Sequence, residues 1–217
     1  EGSNHLQATT LYESTVAGRA LPCWDVPSLI STFKLSLVIP KNLVAVSNMP
    51  VLSENILSDS QKVVHFNETP IMSTYLVAFI VGDMACIQEI ATCGTLVRVW
   101  TTRGKEEQGR FALDTSIKLL DYFNDYFGIP YPLPKLDMAA IPDYSSGATE
   151  HWGLITYRET NLIYDPLESS FSNKVRVATV IAHELAHQWF GNLMTVFWWN
   201  DLWLNEGFAS YIEYKGI

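Results

Sequence analysis

What this 217-residue sequence lacks narrows it first. It has only three cysteines, and Cys23, Cys86 and Cys93 make no metal-binding pattern. Cys86 and Cys93 could pair across a short hairpin in an oxidising compartment, or all three could be ordinary thiols. Basic residues are outnumbered, fourteen Lys and Arg against twenty-three Asp and Glu, for a formal charge of −9. No basic stripe is visible, which excludes a nucleic-acid partner. No apolar run is long enough to span a bilayer; the best, Tyr75 to Val81, has the length of a strand. Signal peptide, internal repeat and low-complexity tract are all missing. The chain starts on Glu1 rather than Met and stops shortly after an expected helix. A fragment of a longer protein is therefore expected, and the missing anchor says little about the parent.

What is present is material for a core. Hydrophobic residues make up 48%, with seven Trp and ten Tyr, which points to an ordered globular fold. The first part reads as β. Phe33 to Ile39 alternates in period two, and Leu43–Ser47, Gln61–Phe66 and Thr74–Val81 continue the pattern. After Gly82-Asp83 the character changes, which places a domain boundary near residue 84. Leu96–Thr101 and Leu136–Ile141 read as strands. Glu106–Phe127 reads as an amphipathic helix stopped by Gly128 and Pro130, Asn173–Phe190 as a second helix ending at Gly191, and Asn205–Tyr214 as a third.

The second helix carries His183-Glu184-Leu185-Ala186-His187. Histidines four apart share a helix face, so both imidazoles can meet one ion. Glu184, about 100° around the helix from His183, sits beside that ion and is free to take a proton from water. Zinc with three protein ligands keeps a position open for chemistry. Apolar Val180-Ile181-Ala182 and Trp189-Phe190 flank the motif, so the polar residues need buried partners, and a shared metal would satisfy them together. The expected third ligand is Glu206, nineteen positions after His187, which an intervening loop and an antiparallel helix would return to the pair. Asp201 and Glu213 are the alternatives.

The runs Ala182 to Asn192 and Trp198 to Ser210 closely resemble the aminopeptidase N family of zinc aminopeptidases, within the gluzincins. Pro22-Cys23-Trp24-Asp25, Tyr131-Pro132-Leu133-Pro134-Lys135 and Trp152 to Arg158 extend the resemblance over nearly the whole chain. It implies an α+β architecture: residues 1–84 would be the C-terminal part of a β-rich, antiparallel N-terminal domain, and residues 85–217 the first part of a thermolysin-like zinc catalytic domain. It also implies one Zn²⁺ held by His183, His187 and Glu206, with Glu184 as the base. The family's Gly-Ala-Met-Glu-Asn segment corresponds to Gly147-Ala148-Thr149-Glu150-His151, so Glu150 would bind the substrate's free α-amine and Gly147 and Ala148 its backbone.

Three departures qualify the resemblance. Thr149 and His151 replace Met and Asn; His151 could donate to substrate, compete for the metal or point into the core. Upstream, where the family uses Gln or Glu to help hold the amine, the aligned residue is Leu11, which implies one lost contact; Gly18 and Val26 depart as well. The family's oxyanion-stabilising Tyr falls beyond Ile217, so this polypeptide alone is expected to be weak or inactive. The partners implied are peptides with a free N-terminus. A plasma-membrane ectodomain on an anchor outside this chain is the expected setting of the parent, with a cytoplasmic enzyme as the alternative, and the resemblance leaves a homodimer open. The competing function is an impaired relative that binds peptides or partners without turnover.

Overall fold

The structure is a computed structural model and describes residues 7–217. Eleven strands and three helices are defined within them, in three sheets. The chain has the expected α+β character: antiparallel sheets first, then a mixed sheet with helices.

The C-terminal half is built on a five-stranded sheet in the order β10-β11-β9-β8-β7. Strand β7 (Met84–Ile90) is an antiparallel edge, β8 (Leu96–Thr102), β9 (Lys135–Ile141) and β11 (Leu154–Arg158) run parallel, and the short β10 (Ala148–Thr149) closes the other edge antiparallel. Both faces of the parallel centre are covered, so all seven residues of β9 are buried. The period of two assigns the faces. Val97, Val99, Leu136, Met138, Ile155 and Tyr157 share a core with the helices. Trp100, Ala139, Ile141 and Leu154 point the other way, onto Val46, Ala78 and Ile80 of the N-terminal region.

Three helices cover the first face. Helix α1 (Arg110–Phe127) buries Leu113, Leu120 and Phe123 and ends at Gly128, whose left-handed φ of 64° lets its N–H reach Asn124 O. Helix α2 (Phe171–His187) is capped by Ser170, whose hydroxyl accepts from Asn173 N, and buries Val177, Ile181 and Leu185. Helix α3 (Leu202–Gly216) packs against α2. No helix among the described residues is long and apolar enough to cross a membrane.

The N-terminal region forms two three-stranded antiparallel sheets. One orders β1 (Ala8–Thr9), β6 (Phe79–Gly82) and β3 (Val44–Ser47) as β1-β6-β3; the other orders β2 (Ser36–Pro40), β5 (Gln61–Phe66) and β4 (Val51–Ile56) as β2-β5-β4. Strands β6 and β7 lie in different sheets, so the chain changes sheet at Asp83.

Several sequence expectations need correction. Thr74–Leu76 is a 3-10 turn, and only Phe79–Gly82 of the expected Thr74–Val81 strand pairs in a sheet. Residues 74–78 are buried without alternation, and Asn48 takes over their backbone groups, accepting from Ala78 N and donating to Leu76 O. Glu106–Gly109 is 3-10 rather than α-helical, and α2 ends at His187, not Phe190. The Cys86–Cys93 pairing does not occur and all three thiols are free. Cys86 lies opposite Trp100 in the β7–β8 ladder, whereas Cys93 sits in the turn, its Sγ against Thr95 Oγ1.

A buried charge cluster ties the layers together. Asp137 on β9, wholly inaccessible, accepts from Arg98, Trp100 Nε1 and Lys135. Burial alone would raise the Asp137 carboxyl, but Lys135 and Arg98 hold it below its usual range. Lys135, 2% exposed, also donates to Ser47 O on β3 and to Gly153 O beside β11. Its ammonium thus bridges the N-terminal sheet and the five-stranded sheet.

Candidate metal centre

His183 and His187 lie on one face of the last turns of α2, and α3 brings Glu206 across to them. His183 Nε2 and His187 Nε2 are 3.0 Å apart. Glu206 Oε2 lies 3.4 Å from the first and Oε1 3.7 Å from the second. Donors on a tetrahedron with the 2.0–2.1 Å arms of a metal–nitrogen bond would be about 3.3 Å apart.

The other ring nitrogens fix the tautomers. His183 Nδ1 donates to Glu213 Oε2 at 2.8 Å, and His187 Nδ1 donates to Phe190 O at 2.9 Å. A carboxylate and a carbonyl can only accept, so each Nδ1 carries a hydrogen, which in the neutral ring leaves the lone pair on the inward-facing Nε2. Two lone pairs and a carboxylate facing one another at this range repel unless a cation stands between them. Burial would lower the His187 imidazolium, yet the carboxylates of Glu150, Glu206 and Glu184 raise it to about 10. The imidazoles hold Glu206 well below its ordinary value. The donor chemistry and this demand for positive charge both fit a metal ion. Of the two alternative third ligands, Glu213 orients His183 instead, and Asp201 belongs to the 3-10 turn ahead of α3.

Glu184 is 6% exposed, and its Oε2 has no hydrogen-bond partner among the described residues. Burial raises its carboxyl to about 8, with Glu150 adding to the rise and His187 opposing it. Glu150 follows β10, is 4% exposed, and likewise has Oε1 without a partner among the described residues. Ala148 pairs with Tyr157 at the sheet edge, and Gly147 O accepts from Arg158 N and Asn161 Nδ2.

Sequence reasoning misplaced one residue. Leu11 packs against the apolar cluster of Val46 and Ile80, and Glu13, two positions later, enters the site. Carboxylate oxygens of Glu13, Glu150 and Glu206 lie within 4.8 Å of one another. Burial, then the negative charge of Glu150 and Glu206, raises the Glu13 carboxyl to about 7. The implied loss of an acidic contact at Leu11 is therefore withdrawn. An acidic residue two places beyond the expected position, in the stretch leading to Pro22-Cys23, was the one local sign, and no spacing rule ties it to Glu150.

His151 and Thr149 turn out to be joined. Tyr144 OH donates to Thr149 Oγ1 at 2.7 Å, Thr156 Oγ1 donates to Tyr144 OH at 2.8 Å, and His151 Nδ1 lies 3.3 Å from Thr156 Oγ1. His151 is fully buried and burial lowers its imidazolium to about 3, so it stays neutral. The unfolded chain, with the ordinary value of 6.5, binds a proton that the folded chain refuses between pH 6.5 and pH 3. Stability attributable to this residue therefore falls as pH drops through that window. His151→Asn should recover about 2–3 kcal/mol relative to the unsubstituted chain at pH 4.5, and none of that gain at pH 8. Urea midpoints at the two pH values check this; equal shifts at both would refute it.

Comparison with known proteins agrees with the geometry. The Peptidase family M1 domain matches residues 111–217, and the Peptidase M1 N-terminal domain matches residues 1–76. Aminopeptidase M1-B of Oryza sativa subsp. japonica is 55% identical over 217 residues, 100% of this chain and 25% of that protein. Aminopeptidase M1 of Arabidopsis thaliana is 53% identical over 98% of this chain and 24% of its own length. Aminopeptidase N of Bos taurus is 50% identical over 96% of this chain and 22% of its own length. The chain thus spans about a quarter of the length of these relatives. With both domains matched in order, and His183, His187 and Glu206 gathered between α2 and α3 as candidate metal donors, the chain belongs to peptidase family M1.

Proposed function

We propose that this chain is the zinc-binding segment of an aminopeptidase that removes single residues from the free N-termini of peptides. The observation that carries the reading is the placement of Glu13 and Glu150 beside the metal donors, with Glu206 common to both groups. With Glu206 engaged by the metal, the carboxylates of Glu13 and Glu150 beside it suit an ammonium, whose N–H donors would answer them. An endopeptidase has no use for such an anionic end-stop beside the reacting carbonyl.

His183, His187 and Glu206 are the residues that would hold zinc, since two imidazoles and a carboxylate suit that ion. Bound there, zinc supplies Lewis acidity to a carbonyl and makes water more acidic. Glu184 takes the proton of the attacking water on its free Oε2 and delivers it to the departing amine. Glu150 and Glu13 hold the α-ammonium, which sets the first peptide bond and no later one at the reacting position. Gly147 and Ala148, at the open edge of the sheet, offer backbone to an extended substrate. Relatives that carry aminopeptidase in their names support this reading. The impaired-relative alternative had two motives, Leu11 and the altered neighbourhood of Glu150, and the placement of Glu13 beside Glu150 removes the first.

The test is hydrolysis by the longest natural polypeptide that contains this chain, using aminoacyl 4-nitroanilides and their N-acetyl counterparts. Cleavage of the free-amine substrates alone, abolished by chelator and restored by zinc, is expected. Cleavage of both classes at similar rates would sink the exopeptidase reading.

A further inference from the structure

The segment 150–153, between β10 and β11, has little regular pairing of its own, yet each of its carbonyls is taken. Glu150 O accepts from Gln188 Nε2 at 3.1 Å and from Asn192 Nδ2 at 2.6 Å. His151 O accepts from Leu154 N, Trp152 O from Asn48 Nδ2 at 2.8 Å, and Gly153 O from Lys135 Nζ and Asp137 N. Gln188 also closes the far end, its Oε1 accepting from Gly153 N at 3.1 Å. Gln188 and Asn192 are 0% and 2% exposed. Gln188 directly follows His187. Asn192 comes after a turn at Gly191, where φ is +126° and Asn192 N reaches back to His187 O.

We infer that Gln188 and Asn192 are positioning residues that fix the amine-recognising carboxylate of Glu150 at a set distance from the metal donors. The inference rests on the amine reading proposed above. The two side chains grip the backbone oxygen of the very residue whose carboxylate faces the site. They do so from one and five positions beyond a metal donor, so the span between metal and ammonium is set by a few covalently linked residues. A carboxylate that must meet an ammonium while the carbonyl meets the metal needs such registration, because a displacement of about 1 Å can cost 10²-fold. Asn48 and Lys135 hold the other side of the segment from the N-terminal layer and the sheet, which leaves the α2 side as the one that reports on the metal.

A simple role in satisfying buried polar groups would reduce stability or metal binding without favouring one ligand over another. Isothermal titration of the Zn²⁺-loaded longest natural polypeptide that contains this chain, with alanine hydroxamate and with N-acetyl-alanine hydroxamate, separates the two roles. The unsubstituted chain should prefer the free-amine compound. Gln188→Leu should reduce that preference about 10-fold or more, with zinc affinity and N-acetyl compound binding within about two-fold. Asn192→Ala, which leaves the Gly153 contact intact, should do the same to a smaller extent. Preference retained in both variants overturns the inference, as does a parallel loss of zinc and both ligands. No preference in the unsubstituted chain would instead remove the amine reading itself, and this inference with it.

Discussion

Glu184→Gln should leave one zinc per chain and lower kcat by about 10²–10⁴-fold, the range typical of losing a positioned acid–base group. The substitution keeps shape and removes only the ability to accept and carry a proton. Glu184 is not among the converging donors, so metal content should not change. Its Oε2 is buried without a partner among the described residues, an arrangement that stability alone would not favour. Burial raises its carboxyl to about 8, and a divalent ion nearby would favour the ionised form. The two influences bring the group toward neutrality, where a general base works best. Metal analysis together with turnover in the longest natural polypeptide containing this chain decides the matter. A kcat within ten-fold of the unsubstituted protein, zinc retained, would assign the proton transfer elsewhere.

Glu150→Ala should raise KM for free-amine substrates by about 10–100-fold, from the loss of a charge-assisted hydrogen bond worth about 1.5–3 kcal/mol. Zinc should stay bound, since Glu150 does not complete the His183, His187 and Glu206 set. The sharper signature is selectivity: the advantage of a free over an acetylated N-terminus should shrink with the carboxylate. Glu13→Ala should act in the same direction but more weakly, because Glu13 is only half-buried and water can replace part of what it supplies. An unchanged free-amine preference in the Glu150 variant would count against its role, and a larger effect at Glu13 than at Glu150 would reverse their order of importance.

The convergence of His183 and His187 was the most legible part of the chain because its geometry is local. A four-residue spacing on a helix determines that His183 and His187 face together, whatever surrounds them. Glu206 needed one further step, the antiparallel return of α3, and the loop length supplied it. Glu13 lay beyond such reasoning. It reaches Glu150 from 137 residues away in sequence, in a turn with no periodicity, and a shift of two positions is invisible without the packing that sends Leu11 into the Val46 and Ile80 cluster. Strand β4 was missed for the opposite reason: all six of its residues are exposed, so no alternation marks it. The 3-10 turn at 74–76 read as a strand because complete burial looks the same in either conformation. His151 was correctly suspected of pointing inward as one of three options, but its chain through Thr156 and Tyr144 to Thr149 joins residues no spacing rule connects.

Lys135 has a consequence for how the molecule comes apart. Its ammonium is shut away from water and bonded to Ser47 O on one side and Gly153 O on the other, with Asp137 as its counter-charge. As the N-terminal layer begins to part from the five-stranded sheet, one of these acceptors is lost before water can reach the ion, which is costly for a buried charge. Partial opening along that seam is therefore penalised from its first step. The two layers should behave as one cooperative unit, their amides exchanging with solvent together, and the segment 150–153 should be among the last parts of the chain to loosen.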